Sequence, residues 1–193
     1  MKFTKRQLEI IQASKDLIGI KGIQNFTISK LAKKMHFSEP ALYRHFKDKT
    51  EILRSVLLFH KEMISNGISE IIRSEAPALE KIRSIIEFQF IHLKKNPSII
   101  MVVFSETSFQ YNNVLSNLLT KVIKQRTKKL MKLIEEGQNN NEINSELDPK
   151  QIATIIMGSM RLTVLKWKFN NFKTDLEQDG SELWITIEKL IKQ

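Results

Sequence analysis

Between Thr27 and Lys49 the chain gathers groups that hydrogen-bond to anionic oxygens. The hydroxyls of Thr27, Ser38 and Tyr43, the guanidinium of Arg44, the imidazole of His45 and the ammonium of Lys49 are all potential donors. Hydroxyl and ammonium groups suit phosphate oxygens, and a guanidinium can make two parallel bonds to the edge of a guanine. In the same stretch the Ala41 methyl can meet a thymine methyl, and Glu39 can accept from the cytosine amino group. The charge balance points the same way. Eleven basic and four acidic residues lie between Met1 and Lys49, in a chain of 193 residues whose formal net charge is +10. That excess implies a polyanionic partner, although charge alone does not separate DNA from RNA or an anionic membrane surface.

These groups can act together only if short, rigid elements present them on one side. Leu8, Ile11 and Ile18 recur at helical spacing and Gly22 follows where a C-terminal cap belongs, which predicts a first helix. Thr27 is the expected N-cap of a second helix through Ile28, Leu31 and Ala32, ending near Met35. Ser38 is the expected N-cap of a third, with Pro40 in its first turn, running to about His45. Leu31, Ala32, Leu42 and Phe46 read as the core that carries the polar residues. Asp48 with Glu51 opens a long helix whose stripe runs through Ile52, Val56, Leu57, His60, Ile64 and Ile71. Later helices follow from Leu79 to the Asn96-Pro97 stop and from Leu115 to the Asn139-Asn140-Asn141 turn, and Ser98 to about Ser105 between them is a short apolar segment. Asp148-Pro149 starts a helix with apolar residues on nearly every side, and Leu183 to Ile191 lies in the last one. With few Gly and Pro, no alternating pattern and no internal repeat, the fold class is all-α.

Two short helices joined by a tight turn, in the basic quarter of the chain, are the arrangement that major-groove reading requires. The stretch from Gly22 to Leu53, and above all Leu42-Tyr43-Arg44-His45-Phe46-Lys47-Asp48-Lys49, resembles the DNA-binding domain of the TetR family. The resemblance implies that Thr27, Tyr43, His45 and Lys49 contact phosphates. It also implies that Glu39, Pro40 and Ala41, with Arg44, face base edges, and Ser38 joins this DNA-facing set. One departure stands out: the turn between helices two and three commonly has glycine in that family, and His36 occupies the position here. Histidine is among the residues that tolerate positive φ, so the turn is expected to survive with slight strain. The implied organisation is a helix-turn-helix domain over 1–48 and a regulatory and dimerisation domain over 49–193, with residues 49–74 as a linking helix.

The second part of the chain holds Phe88, Phe90, Met101, Phe104, Phe109, Tyr111, Met157, Met160 and Trp167. Apolar cores and ligand pockets share this composition, so both roles stay open. Phe90, Met101, Phe104, Met157, Met160, Arg161 and Trp167 form the candidate pocket, with His92 and Arg161 as groups that could orient a polar or anionic ligand. The resemblance implies dimerisation through the last two helices as a four-helix bundle. Gly158 and Ser159 allow close helix approach, and Ile155, Leu162, Leu183, Trp184, Ile187 and Ile191 offer apolar surface for it.

Other function classes lack their signatures. There is no cysteine, hence no disulfide or thiolate metal site, and only four histidines. The sequence contains no glycine-rich phosphate loop, nucleophile elbow or His-Glu-x-x-His, and the Glu135-Glu136 pair lies on an amphipathic helix where solvation explains it. No segment approaches the roughly 20 apolar residues of a membrane span, and the charged start has no apolar run behind it. The expectation is therefore a cytoplasmic, dimeric, non-enzymatic regulator without metal or cofactor. It would bind double-stranded DNA at a palindromic operator, act as a repressor, and be released by a small hydrophobic effector. The competing reading is a DNA-binding organiser, or a regulator controlled by a protein partner.

Overall fold

Residues 3–104, 109 and 112–193 are described by a computed structural model. Helix α1 (Lys5–Lys21) begins with a reciprocal cap: the Thr4 hydroxyl accepts the Gln7 N–H at 3.2 Å, and the Gln7 side chain accepts the Thr4 N–H at 3.0 Å. It stops at Gly22, whose φ of 72° suits a residue without a side chain. A 3₁₀ turn (Ile23–Asn25) leads to α2 (Ile28–Met35), capped by Thr27, and Ser38 caps α3 (Glu39–Tyr43). α3 ends two residues before the expected His45. The N–H groups of His45 and Phe46 both turn back to the Leu42 carbonyl, at 2.9 and 3.1 Å, which tightens the backbone there. Asp48 accepts the Glu51 N–H at 2.7 Å at the start of α4 (Lys49–Arg73).

The remaining helices are α5 (Ala78–Lys95), α6 (Pro97–Val103), α7 (Asn113–Asn139), α8 (Pro149–Phe169) and α9 (Leu176–Ile191). Asp148 caps α8 by accepting the Lys150 N–H at 2.8 Å, with Pro149 at the first helical position, as the sequence signalled. Among the described residues the fold is all helix apart from one isolated bridge between Ile143 and Lys192. No helix among them is long and apolar enough to cross a membrane.

Packing divides the chain into two compact units, Met1–Met63 with Asn96–Thr120, and Ile64–Lys95 with Lys121–Gln193. Within the first unit α1 and α6 cross tightly, where a Cβ on Gly19 would lie 2.5 Å from the Ser98 Cβ. Asn112 also donates to the Thr50 hydroxyl at 3.1 Å. The first core contains Ile10, Ile18, Phe26, Leu31, Leu42, Phe46 and Ile100, together with Ile52, Leu53, Val56 and Leu57 from the start of α4.

In the second unit α9 packs on α5 and on α8. Gly180 permits the first of these contacts, since a Cβ there would lie 2.3 Å from the buried Phe90 ring. Gly67 does the same for Phe88, with a Cβ at 2.2 Å from its ring. Lys81, buried on α5, pairs with Glu136 at 2.9 Å. Lys94 reaches Asp175 and Glu177 at the start of α9, and the hydrogen bond from Lys94 holds the Asp175 carboxyl below the usual carboxylate range.

Gly180→Val should lower stability by about 1–3 kcal/mol, the range for overpacking a closed core. Urea denaturation measures it; an unchanged midpoint would contradict the close contact of α5 with α9.

Candidate nucleic-acid interface

α3 has five residues, too few to hold a helix by itself, so packing must set its position. Leu42 is 1% exposed and Phe46 2%, in one core with Leu31 and Phe26. With that side buried, the opposite side is presented to solvent. Ser38, Glu39, Pro40, Tyr43 and Arg44 are exposed, whereas Ala41 and His45 are half-buried. Tyr43 retains 48% of its surface. The arrangement therefore puts Leu42 and Phe46 inside and the donors of Ser38, Tyr43 and Arg44 outside, with His45 partly covered.

The flanking donors are fixed by local bonds. The Thr27 hydroxyl accepts the Lys30 N–H at 3.2 Å, which leaves its own proton free to donate outward. Lys49 is exposed, with its ammonium 5.6 Å from the centre of the Phe26 ring, a cation–π placement. Gln7 was not singled out in the sequence; its side-chain amide donates to the His45 carbonyl at 3.1 Å and so ties α1 to the end of α3. Only a fold-level contact between distant segments reveals it. Arg6, likewise, lies 5.2 Å from the centre of the Phe37 ring. His36 adopts φ 55° and ψ 39°, the left-handed conformation expected of it, and the Phe37 N–H closes the turn on the Ala32 carbonyl at 2.9 Å.

This is a helix-turn-helix with its reading side free, and two family models cover nearly the whole chain. "Bacterial regulatory proteins, tetR family" matches residues 10–56, and "YsiA-like protein, C-terminal region" matches residues 59–189. The chain belongs to the TetR family. It is accordingly a DNA-binding transcription regulator. It is 24% identical over 192 residues to the nucleoid occlusion factor SlmA of Vibrio campbellii, covering 99% of this chain and 98% of that one. Among solved structures it resembles the fatty acid degradation regulator FadR of Bacillus halodurans, with 21% identity, TM-score 0.85 and 97% of each chain covered. It also resembles FadR of Bacillus subtilis in complex with stearoyl-CoA, with 25% identity, TM-score 0.78, and 93% and 96% of the two chains covered.

Within this TetR-family chain the structure redraws the expected dimerisation surface. Trp184, Ile187 and Ile191 are 3%, 2% and 4% exposed, so they belong to the second unit's own core and have no surface to offer. Leu183 is half-buried. Ile155 and Leu162 do remain open, at 54% and 52%, and Phe169 on the same stripe of α8 is more exposed still. Gly158 lies between them with nothing within 4 Å of a would-be Cβ. The burial follows from the helical period: Ile152, Ile156 and Trp167 take one face of α8, and the exposed residues occupy the opposite one.

The candidate pocket residues differ in burial and are divided between the two units. Phe90 is 1% exposed against Gly180, and Trp167 is 4% exposed, edge-on to Phe172 at 4.8 Å and donating its indole N–H to the Thr174 carbonyl at 2.9 Å. Both are core residues. Arg161 is exposed, which removes it as a group pointing into an apolar interior. Met157 and Met160 are half-buried in the second unit, and Met101 and Phe104 are half-buried in the first. Phe88 and His92 face each other at 6.2 Å in the second unit, and Phe109 is buried. Tyr111 lies outside the described residues.

The His36 turn gives a direct check on the reading head. His36→Gly should raise stability by up to about 1 kcal/mol by removing left-handed strain, and His36→Val should lower it by about 1–2 kcal/mol. Thermal unfolding of both variants distinguishes this from a turn that is indifferent to residue type.

Proposed function

We propose that this regulator is a homodimeric repressor that binds an operator through α3 and is released by a small, largely apolar effector held in the C-terminal part. The exposed array of Tyr43, Arg44, Thr27 and Lys49 around a buried Leu42 and Phe46 carries the DNA-reading half. In this reading Thr27, Tyr43, His45 and Lys49 hold phosphates, and Glu39, Pro40, Ala41 and Arg44 face bases, with Ser38 holding the start of the helix. Residues 1–48 form the reading head and residues 49–193 the regulatory part, with the beginning of α4 shared between function and packing. The protein acts in the cytoplasm by binding and performs no catalytic step.

The dimer reading rests on α8. Ile155, Leu162 and Phe169, with the open Gly158 between them, form an apolar stripe on the face away from the chain's own core. A two-fold partner covers such a self-complementary stripe on both copies at once. The effector reading draws support from the Bacillus subtilis structure, whose description names stearoyl-CoA as bound to that protein. An effector releases DNA only if it binds better to the dimer form whose two reading heads do not fit adjacent major grooves. The resemblance to nucleoid occlusion factors favours a second reading, a DNA-binding organiser controlled by a protein partner. An organiser keeps its DNA in the presence of every small molecule.

Tyr43→Ala is expected to weaken binding to all duplexes alike, whereas Arg44→Ala costs about 1–3 kcal/mol, concentrated at one base position. Titrations of operator and random duplexes at fixed salt decide it; equal wild-type affinity for both would sink site-specific reading. Leu162→Glu places a charge in the centre of the α8 stripe and should convert the dimer to monomer in native mass spectra. A variant that remains dimeric moves the interface off α8.

A further inference from the structure

The buried stripe of α7 contains one residue that does not belong in a core. Val122, Leu130 and Leu133 share a face at helical spacing, and Arg126 occupies the place between Val122 and Leu130. Val122 is half-buried, Leu130 is 9% exposed and Leu133 2%, so the stripe faces protein.

The neighbours of Arg126 along the helix show where it points. Thr127 on one side lies 3.4 Å from the Met157 sulfur on α8, and Lys129 on the other donates to the Ser69 hydroxyl near the end of α4 at 3.3 Å. At about 100° per residue, position 126 projects between those two directions. The Arg126 side chain thus leaves the helix between α8 and the 64–73 part of α4, within the second unit.

Among the described residues no acid pairs with it, and Arg126 has no hydrogen bond to a side chain. α8 carries no acidic residue, and the only acid in residues 64–73, Glu70, is exposed. On α7 itself the nearest acids are Glu135 and Glu136, more than two turns away, and Glu136 is taken by Lys81. Arg126 is half-buried, and burial alone lowers its pKa from the usual guanidinium value. A cation held in such surroundings without a counter-charge is unfavourable, and an arriving anion relieves it.

We infer that Arg126 is the anchor for an anionic headgroup, a carboxylate or a phosphate, carried by the apolar effector. This rests on the effector reading above and adds to it the chemistry of one end of the molecule. The apolar part of the ligand lies among side chains such as Met157 and Ile68, and the guanidinium makes paired, charge-assisted bonds to the anionic oxygens. Neutral molecules of equal length lack the partner that Arg126 requires.

Calorimetric titration of the full-length dimer with dodecanoate, dodecyl phosphate and 1-dodecanol, each below its micellar concentration, tests this. The wild type should bind at least one anion about tenfold or more tightly than the alcohol. Arg126→Met should abolish that preference without weakening the alcohol, and Arg126→Lys should restore part of it. Which anion wins separates a fatty-acid-type carboxylate from a phosphate-bearing ligand. In the absence of ligand, Arg126→Met should raise Tm by about 2–4 °C, because an unpaired charge has been removed; a fall in Tm would show a structural role and overturn the inference. Binding with no anion preference, or a preference that survives Arg126→Met, would also overturn it while leaving the effector reading intact. If none of the three binds, both readings fall.

Discussion

The position of the reading side chains depends on one short stretch of burial. α3 cannot persist as a free helix, and its five residues keep their place because Leu42 and the following Phe46 are sunk in a core with Leu31 and Phe26. Every polar contact proposed for Tyr43 or Arg44 is therefore conditional on apolar packing behind it. The caps reinforce this. Thr27 and Ser38 hold the starts of α2 and α3, the His36 backbone turns the chain between them, and Gln7 pins the end of α3 to α1. His36 and Gln7 shape the surface proposed to read DNA without themselves being among its proposed contacts.

The second unit uses close helix approach in the same way. Gly67 and Gly180 leave room for the Phe88 and Phe90 rings, which lets α4 and α9 approach α5. The buried faces of α8 and α9 are consumed by this packing, and the apolar residues left in solvent are Ile155, Leu162 and Phe169 on α8 and Ile185 and Leu190 on α9. A regulator of this construction can couple two sites only through states that differ in free energy for ligand and for DNA. A half-buried cation without an ion pair among the described residues, such as Arg126, is a natural place for such a difference, since an anionic ligand would pair it in the liganded form.

Much of the fold was legible in the residues. The caps at Thr27, Ser38 and Asp148, the Gly22 stop and the apolar periods located the helices, with α3 overrun by two residues where the turn tightens on the Leu42 carbonyl. The basic quarter and the run from Leu42 to Lys49 pointed to the surface proposed to read DNA, and its exposed donors were legible there. Arg126 was not singled out in the sequence, since a cation among the apolar residues of α7 does not reveal whether an acid waits opposite.

By itself the sequence determined the helical class, the order of helices and the chemistry of the reading head, because capping, periodicity and charge act within a turn or two of each residue. Tertiary structure decided which apolar residues are spent inside. Trp184, Ile187 and Ile191 look as suited to an interface as Ile155 and Leu162, and only the packing of α9 on α5 and α8 buries the first three while leaving the other two in solvent. Hydrophobicity is a property of the side chain; the surface it is buried against is chosen by segments far away in the chain.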